Sequence, residues 1–223
     1  MTRGFFVTGT DTGIGKTALA ALLVAALDAN YWKPIQTGSI EGTDRDTVRR
    51  LADVPEERLT REAYCFEPPV SPHLAAREAG VRIRLDTLAW PPAGESVAAR
   101  TWIVEGAGGV LVPINESETM IDLMRRIALP VLVASRSTLG TINHTLLTLA
   151  ALRAARLEVR GVAFIGNKND ENRRAIEHYG DTRVLGRIPW IETLNRAALL
   201  DAFAHHFDRA ALLAAGAVPA RAG

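Results

Sequence analysis

The run Gly9-Thr10-Asp11-Thr12-Gly13-Ile14-Gly15-Lys16-Thr17 constrains this chain more than any other feature. It follows the apolar Phe5-Phe6-Val7 and leads into an Ala/Leu/Val-rich stretch from Lys16 to about Ala29. A strand that turns through glycines into a helix leaves free backbone N–H groups at the positive helix end, a ready anion site. The N–H groups around Gly13, Gly15 and Lys16 are expected to face into the turn. Lys16 adds an ammonium for the outer phosphates of a nucleotide, and the Thr17 hydroxyl suits Mg2+ bridging two of them. Five residues separate Gly9 from Gly15, one more than in the common form of such loops, so this is a lengthened variant.

The rest of the chain supplies the framework such a loop needs. Short apolar runs at Tyr31–Ile35 (interrupted by Pro34), Trp102–Val104, Pro130–Ala134, Val162–Ile165 and Val184–Gly186 read as strands. Helical patterns lie between them at Asp46–Leu51, after Ser71-Pro72 (N-cap and first helical position), at Thr141–Arg156 and over 197–215. This alternation predicts one α/β domain over residues 1–223, a mostly parallel sheet with helices on both faces, and a fraying tail from about 217 to 223. Ligands of such folds sit at the carboxyl ends of the strands. The motif-bearing turns after Val7, Ile35 and Val104 lie there.

Lysine is rare in this sequence: of 26 basic residues only Lys16, Lys33 and Lys168 are lysine. Lys33 stands in Tyr31-Trp32-Lys33-Pro34, where the proline biases it to extended geometry. A second ammonium near a triphosphate can stabilise charge that develops in phosphoryl transfer. Glu105 ends an apolar strand before Gly106-Ala107-Gly108-Gly109 and faces the same crevice, so its carboxylate can complete a Mg2+ shell. Asp46 is expected as a further metal ligand at a helix N-terminus, with Asp44 the alternative.

The formal net charge of +1 points away from nucleic acid, and no apolar stretch is long enough for a membrane span. Cys65 is the single cysteine, which excludes an internal disulfide and suits a reducing cytoplasm. The apolar N-terminal run is too short for a signal peptide.

Taken together, the chain resembles the dethiobiotin synthetases. The resemblance rests on Phe6-Val7-Thr8-Gly9-Thr10-Asp11-Thr12, Gly15-Lys16-Thr17, Trp32-Lys33-Pro34, Ser71-Pro72-His73, Val104-Glu105-Gly106-Ala107-Gly108-Gly109, Gly140-Thr141-Ile142-Asn143-His144 and Ile188-Pro189-Trp190. It implies a P-loop ligase with ATP and Mg2+, acting on 7,8-diaminopelargonate and CO2 or bicarbonate. The implied catalytic residues are Lys16 and Lys33. Thr12, Gly13, Ile14, Gly15, Lys16, Thr17, Ala18, Asp46, Glu105, Gly106, Ala107, Gly108, Asn167, Ile188, Pro189 and Trp190 would bind nucleotide. Thr17, Asp46 and Glu105 match the metal positions. Thr12 and Thr37 match positions near the reacting amines. Gly140, Thr141, Ile142 and Asn143 would reach the substrate of the partner in a homodimer.

Two positions depart from the family pattern. Gly13 replaces an acid found in some members. The base-reading Asn-Asp after the fifth strand becomes Ile165-Gly166-Asn167-Lys168-Asn169-Asp170, which leaves Asn167 or Asn169 for the base. A related amidating ligase would share the phosphate loop and Glu105 but does not account for Lys33-Pro34 or the Asn143 segment. A partitioning-type ATPase needs a membrane-binding tail or a basic DNA-binding patch, and a net charge near zero supplies neither.

Overall fold

A computed structural model describes residues 3–90 and 100–214. The first half runs β1 (Gly4–Gly9), α1 (Lys16–Leu27), β2 (Asn30–Trp32), β3 (Ile35–Thr37), α2 (Asp44–Ala52), β4 (Leu59–Thr60), β5 (Tyr64–Phe66) and α3 (Pro72–Glu78). The second half runs β6 (Trp102–Gly109), α4 (Met120–Ile127), β7 (Val131–Arg136), α5 (Thr141–Ala154), β8 (Val159–Ile165), α6 (Asp170–Tyr179), β9 (Val184–Ile188), α7 (Arg196–His206) and α8 (Arg209–Leu213).

Seven strands form one parallel sheet in the order β4-β2-β6-β1-β7-β8-β9. Side chains alternate across it, as the two-residue period of a strand requires. Phe5, Val7, Tyr31, Ile103, Leu132 and Ala134 enter a core with α1, α2 and α7. Phe6, Trp32, Trp102, Val104, Val131 and Val133 enter the opposite core, with α3, α4, α5 and α6. Burial on both faces is why these strands read as continuous apolar runs. This is the α/β architecture that the alternating pattern predicts. No helix among the described residues is long and apolar enough to cross a membrane.

Several boundaries differ from expectation. Pro34 divides the Tyr31–Ile35 run into two strands of different sheets, since β3 pairs with β5 rather than with the main sheet. The strand before Glu105 continues through the glycines to Gly109. The helix expected at Asp46–Leu51 starts two residues earlier, because Thr43 is its N-cap. The expected 197–215 helix is two helices: Phe207 bridges to Gly186, the Asp208 N–H donates to Leu185 O at 2.7 Å, and Asp208 caps α8. The expected fraying tail at 217–223 lies outside the described residues.

Candidate active site

The turn from β1 into α1 depends on backbone that only glycine adopts readily. Gly13 has φ 68° and Gly15 has φ 96°. A Cβ on Gly15 would also meet the Ile165 side chain at 3.0 Å. Among the described residues no side chain caps α1, and its first turn holds no acid, so its N–H groups remain available to an anion. Lys16 is buried, and its Nζ donates to Asp11 O at 2.9 Å, folding the ammonium back across the loop. Burial lowers the Lys16 pKa from the ordinary lysine value, and nearby Glu105 opposes that effect.

Glu105 lies on β6, beside Val7 of β1 in the parallel register, so the phosphate loop and the carboxylate leave the sheet together. β2 flanks β6 on the other side and delivers Lys33 immediately after its last residue. The first turn of α2 adds Asp44. Thr17 Oγ1 lies 3.0 Å from Asp44 Oδ1 and 2.9 Å from Glu105 Oε1. One hydroxyl hydrogen thus faces two carboxylate oxygens, which leaves an oxygen-rich gap suited to a hard divalent cation. Among the described residues no group of three or more His, Cys, Asp or Glu side chains gathers for a metal. Two carboxylates and a hydroxyl are nevertheless what Mg2+ takes from a protein when phosphates and water complete its shell.

The Lys33 Nζ ion-pairs with Asp44 Oδ2 and lies 3.4 Å from Glu105 Oε1. Burial works against the Lys33 ammonium, but the Glu105 and Asp44 carboxylates outweigh it and raise its pKa above the ordinary value. At Glu105 burial wins: complete removal from water raises the carboxyl pKa although Lys33 opposes the shift. Tyr31, on β2, donates from its phenol to Glu105 Oε2 at 2.9 Å. Burial, with Glu105 beside it, pushes that phenol well above its ordinary pKa.

Asp46 does not join this cluster, which corrects the expectation that it would stand with Thr17 and Glu105. Its carboxylate accepts from the Thr43 N–H at 3.0 Å and the Thr43 hydroxyl at 2.8 Å, closing a capping box at α2. Those hydrogen bonds lower its pKa. Asp44 stands in the place expected of Asp46.

The remaining expected residues scatter more widely. Gly108 and Thr12 approach closely, since a Cβ on Gly108 would lie 3.5 Å from Thr12 Oγ1. A cavity of about 430 Å3 opens between Thr10–Thr12, the segment Gly109–Pro113 and the α5 residues His144 and Thr148. Thr37 ends β3, and the neighbouring Gln36 Oε1 accepts the Asp44 N–H at 3.2 Å. Gly140 is the N-cap of α5 with φ 89°, and Asn143 is exposed in the first turn. The Thr141 hydroxyl is not open to a ligand in this arrangement: it is buried against Ser135 Oγ at 2.6 Å and bonded to Arg136 O. Asn169 accepts from the Asn172 N–H and donates to Ser137 O, so it serves the cap of α6, while Asn167 is exposed. Ile188 is buried at the end of β9, next to Ile165, and Trp190 beyond it is exposed.

A family model described as "AAA domain" matches residues 3–198. The ATP-dependent dethiobiotin synthetase BioD of Rhodopseudomonas palustris (strain HaA2) is 49% identical over 208 residues, covering 93% of this chain and 95% of the relative. The protein of the same name from Paramagnetospirillum magneticum is 52% identical over 197 residues, covering 88% of this chain and 93% of the relative. Among solved structures, a ParA family ATPase from Chlorobium tepidum superposes with a TM-score of 0.53 at 9% identity, covering 92% of this chain and 98% of that one. That last likeness is one of fold alone.

Proposed function

The chain belongs to the family of ATP-dependent dethiobiotin synthetases, and from that membership we propose that it closes the ureido ring of dethiobiotin from 7,8-diaminopelargonate, CO2 and ATP. One observation carries the reading beyond family membership. A buried Lys33 ammonium sits beside the phosphate loop, against two carboxylates that converge on the loop's own Thr17 hydroxyl. Phosphorylating an anionic oxygen requires cations at that point, and Lys16 and Lys33 would supply them.

In the proposed reaction one amine of the substrate adds to CO2 and loses a proton, giving a carbamate anion. A carbamate oxygen attacks the γ-phosphorus of ATP and ADP leaves. The second amine then attacks the carbonyl carbon, expels phosphate and loses a proton as the ring closes. Lys16 and the N–H groups of the Gly13–Lys16 turn hold the phosphate oxygens and the charge that grows on them. Lys33 faces the carbamate and keeps its anionic oxygen in line. Thr17, Asp44 and Glu105 would hold Mg2+, which when bound supplies further positive charge to the phosphates. Ile188, Pro189 and Trp190 border the nucleotide base, and exposed Asn167 is the side chain left for it.

A homodimer with shared sites is part of the proposal. Leu111, Leu139 and Leu147 are exposed apolar residues around the cleft between the phosphate loop and α5. A second copy that covers them would bring Gly140–Asn143 toward the partner's substrate. Release of phosphate from ATP tests the reading. It should require the diamine and bicarbonate together, and phosphate release without either would overturn it.

A further inference from the structure

We propose that Tyr31 is a positioning residue for the metal site, acting through Glu105. The inference rests on the reading of Glu105 as a ligand to Mg2+. Glu105 divides its two oxygens between different tasks. Oε2 accepts the Tyr31 phenol at 2.9 Å, and Oε1 faces Thr17 at 2.9 Å and Lys33 at 3.4 Å. Both Tyr31 and Glu105 are removed from water, with 0% and 1% exposure. The phenol comes from a different strand than the carboxylate, and its ring is locked in the core beneath α1 and α2.

A carboxylate can turn about its terminal bond and offer either oxygen, or both, to a cation. The Tyr31 donor removes that freedom. It engages one oxygen from the sheet side and leaves Oε1 as the single oxygen presented to the Thr17–Asp44 gap. Hydrogen bonds of this kind to metal ligands commonly change metal affinity by about 10-fold to 100-fold when removed.

The test is Tyr31→Phe, which deletes one oxygen and keeps the ring. Mn2+, titrated against protein saturated with ADP and followed by loss of the free-ion EPR signal, reads the site without turnover. Wild type, Tyr31→Phe, Glu105→Gln and the double variant are compared, each with a thermal melt. Mn2+ affinity should fall about 10-fold in Tyr31→Phe, and that loss should vanish when the same change is made in the Glu105→Gln background. If Glu105→Gln weakens Mn2+ but Tyr31→Phe does not, whether or not it melts lower, Tyr31 serves only the core and the inference is overturned. If neither variant weakens Mn2+, the assignment of Glu105 to the metal falls, and the role of Tyr31 falls with it.

Discussion

Lys33 and Glu105, 72 residues apart in the chain, meet at 3.4 Å because β2 and β6 are neighbours in the sheet and pair Trp32 with Val104, so that the next residues of the two segments lie side by side. The cation and the anion are both buried, so each depends on the other. Removing one partner of such a pair costs roughly 3–5 kcal/mol, because the remaining charge is left in a dry site.

Lys33→Ala should therefore do two things at once. Turnover should collapse while ATP affinity, measured by calorimetry, changes little. The thermal midpoint should also fall, and adding Mg2+ should recover more of it than the same addition gives to wild type, since a second cation can then face Asp44 and Glu105. Equal loss of ATP affinity and turnover would make Lys33 a plain phosphate ligand.

Lys16→Ala should lower turnover roughly 100-fold or more, the scale of one preorganised electrostatic contact. Among the described residues its ammonium hydrogen-bonds within its own loop, to Asp11 O, so the variant should melt close to wild type. Near-normal turnover would remove the phosphate-loop assignment.

Asp44 and Asp46, two residues apart, should separate cleanly. Asp44→Ala should lower activity roughly 100-fold. Asp46→Ala should keep activity within a few-fold of wild type and lose about 1 kcal/mol of stability, the scale of a helix cap. The sign of the pH dependence follows from the lowered Asp46 pKa. Its contribution is full above the unfolded value near 3.8 and is lost as pH falls through the lower folded value, so the stability gap between wild type and Asp46→Ala should close in acid. Chemical denaturation over a pH series measures it.

The shared-site proposal can be checked by mixing. Lys33→Ala and Asn143→Ala subunits, each inactive alone, should recover roughly a quarter of wild-type activity after exchange at equal ratio, since half the dimers are mixed and hold one good site of two. Activity that stays at the parental level after verified exchange would place Asn143 outside the partner's site.

Much of this arrangement was legible in the chain. The glycine loop between a strand and a helix, Glu105 before the glycines and Lys33 before Pro34 are readable as neighbours of one crevice, and the sheet brings both side chains and the loop into one cluster, although β6 runs on past Glu105 to Gly109. The sequence also carries a signal that separates Asp44 from Asp46. Thr43-x-x-Asp46 is a capping-box pattern, which commits Asp46 to the helix start and leaves Asp44 free. The two roles of Tyr31 were not legible, because an aromatic residue in an apolar run reads as core whether or not its hydroxyl has a partner. Helices α4 and α6 are hard to read in the sequence for a related reason. Each is short, and its register depends on caps at Thr119 and Asn169 rather than on a long apolar period. Sheet order needed contacts between residues far apart in sequence, which no local pattern encodes.

The two carboxylates of the cluster have different mechanical footing. Glu105 is set in β6, with a strand on each side and a packed core above and below, whereas Asp44 rides on the first turn of nine-residue α2, outside the sheet. Local opening reaches such peripheral helices at lower free energy than it reaches central strands. On warming, the Asp44 arm should let go first, so that activity fades while the sheet is still intact. The temperature of half-inactivation, measured during brief reversible heating, should then lie below the midpoint of global unfolding seen by circular dichroism.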